Sequence, residues 1–313
     1  MACVRPAVGY LRFWQIFRGQ RGVRASITYI NASQHDAGMV LESILSAAAA
    51  LRKPWLALIA GFGFASTGIV LSNWVFQEQA SLVLVFLTAF AFMPLFIQIL
   101  LDEEMLGLTL PTEAMALKQH GKAVLSFVMC FIGMSFAFAL FYMAMPAVFD
   151  VQAHTIATLS NSVTAHAVTP GLYSVILINN LKVLLFTILF AFIYGAGAIF
   201  ILSWNASVIG TALGSFVQRG VAAAGGTGML VAYASAGGMS VVRYFTHGIP
   251  EITGYFVGGL AGGILSVALI RHHFDKQTMD RIMLDASDLI IAAIVILVVA
   301  AAIETFVTPM LVA

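Results

Sequence analysis

Stretches of about 20 predominantly apolar residues recur along the whole chain, and each is long enough to cross the hydrocarbon core of a bilayer as a helix. They fall near 54–74, 81–101, 123–145, 176–203, 221–242, 251–270 and 286–306. Little sequence is left for a water-soluble core. With 61% hydrophobic and 9% charged residues and a mean hydropathy of +0.97, the composition lies far from that of a soluble domain. The expected fold is all-α, a polytopic transmembrane bundle of about seven spans. The fifth span has the lowest apolar drive, because Gly225, Gly226, Gly228, Gly237, Gly238, Ser235 and Ser240 interrupt it. A re-entrant segment is its alternative reading.

Orientation follows from lysine and arginine, since short loops rich in them stay on the cytoplasmic side. Arg5, Arg12, Arg18, Arg21, Arg24, Arg52 and Lys53 precede the first span, and Lys118 and Lys122 follow the second. The connection from Pro146 to Ser174 carries neither residue type, which suits the outer face. Seven spans return Arg271, Lys276 and Arg281 to the inner face, whereas six would strand them outside. The expectation is therefore a multi-pass protein of the cell membrane, with its N-terminus cytoplasmic and its C-terminus outside. A net charge of +1 gives no electrostatic case for nucleic acid. Cys3 and Cys130 read as free thiols, and no cofactor or metal is expected.

Residues 1–38 carry five arginines before any acidic residue and lack an apolar run long enough for a signal-peptide core. They read as a basic mobile tail, as an upstream stretch from a misassigned start, or as an arm attracted to anionic lipid. Residues 39–313 then form one transmembrane domain. Asp102, Glu103, Glu104 and Glu113 mix with Lys118 and Lys122 between the second and third spans, which predicts a solvated helical hairpin. In the outer connection, Phe149, Val151, Ile156 and Leu159 alternate with polar residues at roughly helical spacing, as in a helix lying along the interface. His154 and His166 are too far apart there to argue for a metal.

Isolated polar groups in membrane-grade sequence are costly unless they face a protein interior or a wet cavity, so they mark the candidate site. These are Asn179 and Asn180, with Lys182 just beyond, then Asn205, His247, Glu251 and Glu304. An unbroken fourth helix would hold Asn180 and Asn205 roughly 38 Å apart, on opposite faces of the membrane. A break at Gly195-Ala196-Gly197, within a segment near 195–217, would instead fold their amides toward the interior, as broken helices do in transporters. Pro250 and Glu251 suit the first turn of a sixth span, with His247 as a local partner or as half of a proton-relaying pair. Glu304 precedes Thr308 and Pro309 near the outer end of the last span, where it packs against a buried group or reaches the interface. Gly254, Gly258 and Gly262 recur every four residues, as do Gly259 with Gly263 and Gly210 with Gly214, a spacing that lets helix backbones approach closely. Neither HExxH nor GxxxxGK[ST] occurs.

Taken in order, Val40-Leu41-Glu42, Asn179-Asn180-Leu181-Lys182-Val183, Tyr194-Gly195-Ala196-Gly197, Asn205-Ala206-Ser207-Val208-Ile209-Gly210, His247-Gly248-Ile249-Pro250-Glu251, and Ala302-Ile303-Glu304 with Thr308-Pro309 form a pattern. It resembles the stage II sporulation protein M family of integral membrane proteins over about residues 39–313. The Asn-Ala-Ser form of the fourth motif is similar to archaeal members. The resemblance implies a membrane anchor rather than an enzyme, since the family's namesake works in a complex with cell-wall hydrolases during forespore engulfment. The expected function is a non-enzymatic integral membrane scaffold or assembly protein with a structural polar core. The alternative is a transporter or channel lined by Asn180, Asn205, His247 and Glu251. The bilayer, other membrane proteins or a second copy of the chain are the expected partners, and nucleic acid is not.

Overall fold

The computed structural model describes residues 46–109, 113–166, 171–224, 228–272 and 276–312, and among them every regular element is helical. In chain order these are α1 (Ala47–Arg52), α2 (Pro54–Val75), α3 (Ala80–Thr109), α4 (Glu113–Ala144), α5 (Asp150–His166), α6 (Leu172–Tyr194), α7 (Ala198–Ala223), α8 (Met229–His272) and α9 (Lys276–Ala302). A π-helical turn, Ile303–Val307, and α10 (Thr308–Val312) continue α9. Seven of these helices are long and apolar enough to cross a membrane. The chain is a multi-pass α-helical membrane protein. The tail 1–38 and the Val40-Leu41-Glu42 motif lie outside the described residues.

Glycines set the packing and, through it, the topology. A side-chain carbon on Gly258 would meet Leu184 and Ile188, one on Gly262 would meet Ile188 and Ala191, and Gly263 abuts the Gly195 carbonyl. Residue numbers rise together, so α6 and α8 run parallel. Against α7 the numbers run oppositely, with Gly259 on Ala198, Gly248 on Ile209 and Ala236 on Gly220. It follows that α6 and α7 form a hairpin. Gly195, at φ +65°, makes the reversal in a region that L side chains rarely adopt, and Gly197 lets the chain pass beside the Phe190 carbonyl. The single span expected at 176–203 is thus two helices. Their amides cannot lie at opposite ends of one rod.

A second departure offsets the first. The spans expected at 221–242 and 251–270 are not separated by a loop, because α8 runs without interruption from Met229 to His272 through Pro250. Pro250 is therefore a mid-helix proline and not a first-turn residue. It removes one backbone bond, but a helix in apolar surroundings has no water to which an opened turn could bond, and packing on both sides keeps it closed. A straight helix of 44 residues is about 66 Å long, roughly twice the hydrocarbon thickness. Its length requires strong tilt or projection beyond one boundary. It is also the most enclosed span, while the last is the least.

Around α8 the core is aromatic. Phe96 of α3 stacks on Phe127 of α4 at 4.6 Å, and Phe127 stacks on Phe256 of α8 at 5.4 Å. On the other side, α2 and α4 approach at Gly61 and Gly133, where any side chain would overlap the Cys130 and Leu58 carbonyls. The connection between α4 and α6 is helical over Asp150–His166, as expected, but α5 does not only skim a surface. Phe149 and Gln152 are fully buried, and the Gln152 amide donates to the Ser81 carbonyl (2.8 Å) and Ser207 Oγ (3.4 Å). Large apolar side chains such as Phe90, Leu185 and Leu230 point outward, as lipid-facing residues should.

Candidate functional site

Because α8 is continuous, Arg243, His247, Glu251 and Tyr255 follow one another at intervals of four and share a face. Arg243 is exposed and lies over the Phe216 and Tyr244 rings, 5.8 and 5.9 Å from their centroids. The next residue, His247, places Nδ1 3.2 Å from Thr308 Oγ1 at the start of α10. One turn on, Glu251 Oε1 accepts a 2.7 Å hydrogen bond from the hydroxyl of Tyr255, a fully buried side chain.

The last span meets this face through its π turn. Proline at 309 has no N–H, and its ring crowds the carbonyl four residues back, so a regular helix is disfavoured there. The turn from Ile303 to Val307 widens, as π bulges do inside longer helices. Thr308 Oγ1 donates to the Ile303 carbonyl at 3.2 Å. The widening brings Glu304 within electrostatic reach of both Glu251 and Tyr255. Two carboxyl groups, a phenol, an imidazole and a hydroxyl therefore join α8 to the end of the last span.

The six residues singled out by sequence divide. Glu251, His247 and Glu304 come together. Asn180 is 3% exposed, and its amide nitrogen has no hydrogen-bond partner among the described residues. It lies one turn before Leu184, which packs on Gly258, so the parallel register sets it level with Gly254 and Tyr255. Asn179 is exposed. Asn205 bonds back to the Ile201 carbonyl of its own helix at 2.8 Å and makes no side-chain hydrogen bond to another helix among the described residues. Tyr255 and Thr308, which complete the cluster, were legible as polar atoms two helical turns from His247 and at the Thr-Pro step.

A second cluster was not anticipated. Glu103, expected on a solvated hairpin, is fully buried, and His120 is 2% exposed. The two ring nitrogens of His120 lie against carboxylate oxygens, Nδ1 at 2.7 Å from Glu103 Oε2 and Nε2 at 3.2 Å from Asp285 Oδ2. Helical period carried the signal, because Phe96, Ile99 and Leu100 are buried and Glu103 continues their face.

A helical bundle of seven membrane-length helices with inward-turned polar clusters defines a polytopic integral membrane protein. The family model for Stage II sporulation protein M matches residues 123–309. The chain belongs to the stage II sporulation protein M family. No curated protein and no solved structure matches it.

Proposed function

We propose that this protein is a non-enzymatic membrane scaffold or assembly protein in which the cluster of His247, Glu251, Tyr255, Glu304 and Thr308 fastens the last span to α8. The reading rests chiefly on the contact between His247 and Thr308, which joins helices far apart in sequence by side chains that have no partner in lipid. Polar groups used this way fix which helices pair and in what register. The Tyr255 bond to Glu251 and the close glycine contacts between α6 and α8 support the same role. A scaffold of this kind would present its outer surfaces to other membrane proteins or to a second copy, with the N-terminus in the cytoplasm and the C-terminus outside.

The pairing of Glu251 with Glu304 favours one other reading. Two neighbouring carboxyl groups in a membrane interior suit a bound proton or cation, as in transporters. Purified protein in liposomes carrying a pH-sensitive dye distinguishes the two. For a scaffold, proton flux equals that of empty liposomes, and Glu251→Gln lowers the unfolding temperature without altering flux. Flux above background that Glu251→Gln abolishes while sparing stability would overturn the scaffold reading.

A further inference from the structure

We propose that Glu103, His120 and Asp285 form a proton-operated clasp that holds the first turns of α9 against the α3–α4 hairpin. Gly263 abuts Leu100, one turn before Glu103, so the cluster lies toward the His272 end of α8. His247 and Thr308 lie toward the other end. Two of its three residues precede the stretch matched by the family, which starts at residue 123. The clasp is independent of the fastening described above.

The chemistry follows from counting protons. A carboxylate only accepts hydrogen bonds, and an imidazole donates from both nitrogens only when both are protonated. Since each ring nitrogen of His120 faces a carboxylate, both bonds exist together when two protons are shared among the three groups. Removing one sets a nitrogen lone pair against a carboxylate, and one contact must open. The Glu103 side is sealed, whereas the Asp285 side chain is 32% exposed and its contact is the longer, 3.2 Å against 2.7 Å. Asp285 gives way, and α9 loses its tie to α3 and α4. The clasp is closed at lower pH and opens as pH rises.

Among the described residues, the surrounding charges are Asp102 on α3, Lys122 on α4, and Lys276, Asp280, Arg281 and Asp288 on α9, all exposed. Arg52 ends α1 with Lys53 beside it, and Arg271 and His272 end α8. None is removed by Asp285→Asn, which makes that substitution the informative one. An amide accepts from a ring N–H and, turned over, donates to a bare ring nitrogen, so the contact survives in either protonation state.

The test uses the full chain in lipid nanodiscs, with Cys3→Ser and nitroxide labels at Lys122→Cys and Leu284→Cys, two exposed positions. Cys130 is buried and stays in place. Electron–electron distance measurement should give a narrow distribution at about pH 6 that broadens to longer distances at about pH 10, well above the range in which a free imidazole loses its proton. Asp285→Asn should remain narrow at both. Should that chain fold poorly, His120→Gln has no titrating ring and should give the same distribution at both pH values. An unchanged wild-type distribution, or equal broadening in Asp285→Asn or His120→Gln, would overturn the clasp.

Discussion

Tyr255 illustrates what a single side chain contributes here. Its hydroxyl donates to Glu251 Oε1 at 2.7 Å, and Tyr255→Phe keeps the ring while leaving that carboxyl oxygen without its donor. A hydrogen bond to a charged or buried group contributes about 1–3 kcal/mol, so thermal unfolding in nanodiscs should start several degrees earlier. Thr308→Val removes the acceptor for His247 without changing shape, and the expected loss is smaller, about 0.5–2 kcal/mol, as for other interhelical bonds in membranes. The two variants together should cost more than either alone. At this scale the sequence was partly readable. His247, Glu251 and Glu304 stood out because charge in apolar sequence is conspicuous, but Asn205 stood out equally and merely bonds its own helix. Residue type marks a polar atom, whereas the turn it takes on leaving the backbone decides its partner. Glu103 and His120 were obscured for the opposite reason. They sit among other charges at a membrane exit, where a solvated face is the ordinary reading.

Glycine position matters more than glycine number at the level of helices. Gly262 lies where an added carbon would come 2.6 Å from the Ile188 carbonyl, a fixed backbone atom that cannot move aside. Gly262→Ala should therefore separate α6 from α8 at a cost of about 1–3 kcal/mol. At Gly237 nothing lies within 4 Å of the added carbon, and Gly237→Ala should be neutral or stabilise by up to about 1 kcal/mol through helix propensity. Unfolding midpoints of the two variants, measured side by side, should move in opposite directions or at least differ by that margin. The four-residue glycine spacing was visible in the sequence, as was the break at Gly195-Ala196-Gly197. Its consequence was not, because a break permits both a kink and a reversal, and only the register against α8 distinguishes them. Pro250 misled for a local reason. Its missing N–H is harmless in a first turn, yet tolerable mid-helix when neighbouring helices enclose it.

For the molecule as a whole, seven membrane-length helices agree with the count expected from hydropathy and from the placement of lysine and arginine, although two errors of partition cancelled. One expected span became a hairpin and two became a single helix. The number held because total apolar length bounds how many membrane-length helices fit more firmly than local hydropathy fixes where each begins. On the proposed function, the polar cluster between α8 and the π turn is a dry internal fastening. The most direct measurement is a structure in lipid at side-chain resolution, with attention to density around Asn180, Glu251 and Glu304. A fastening requires a closed cluster, with His247 on Thr308, Tyr255 on Glu251 and no file of water leading away. A hydrated passage from these carboxyl groups to either face of the membrane would contradict it.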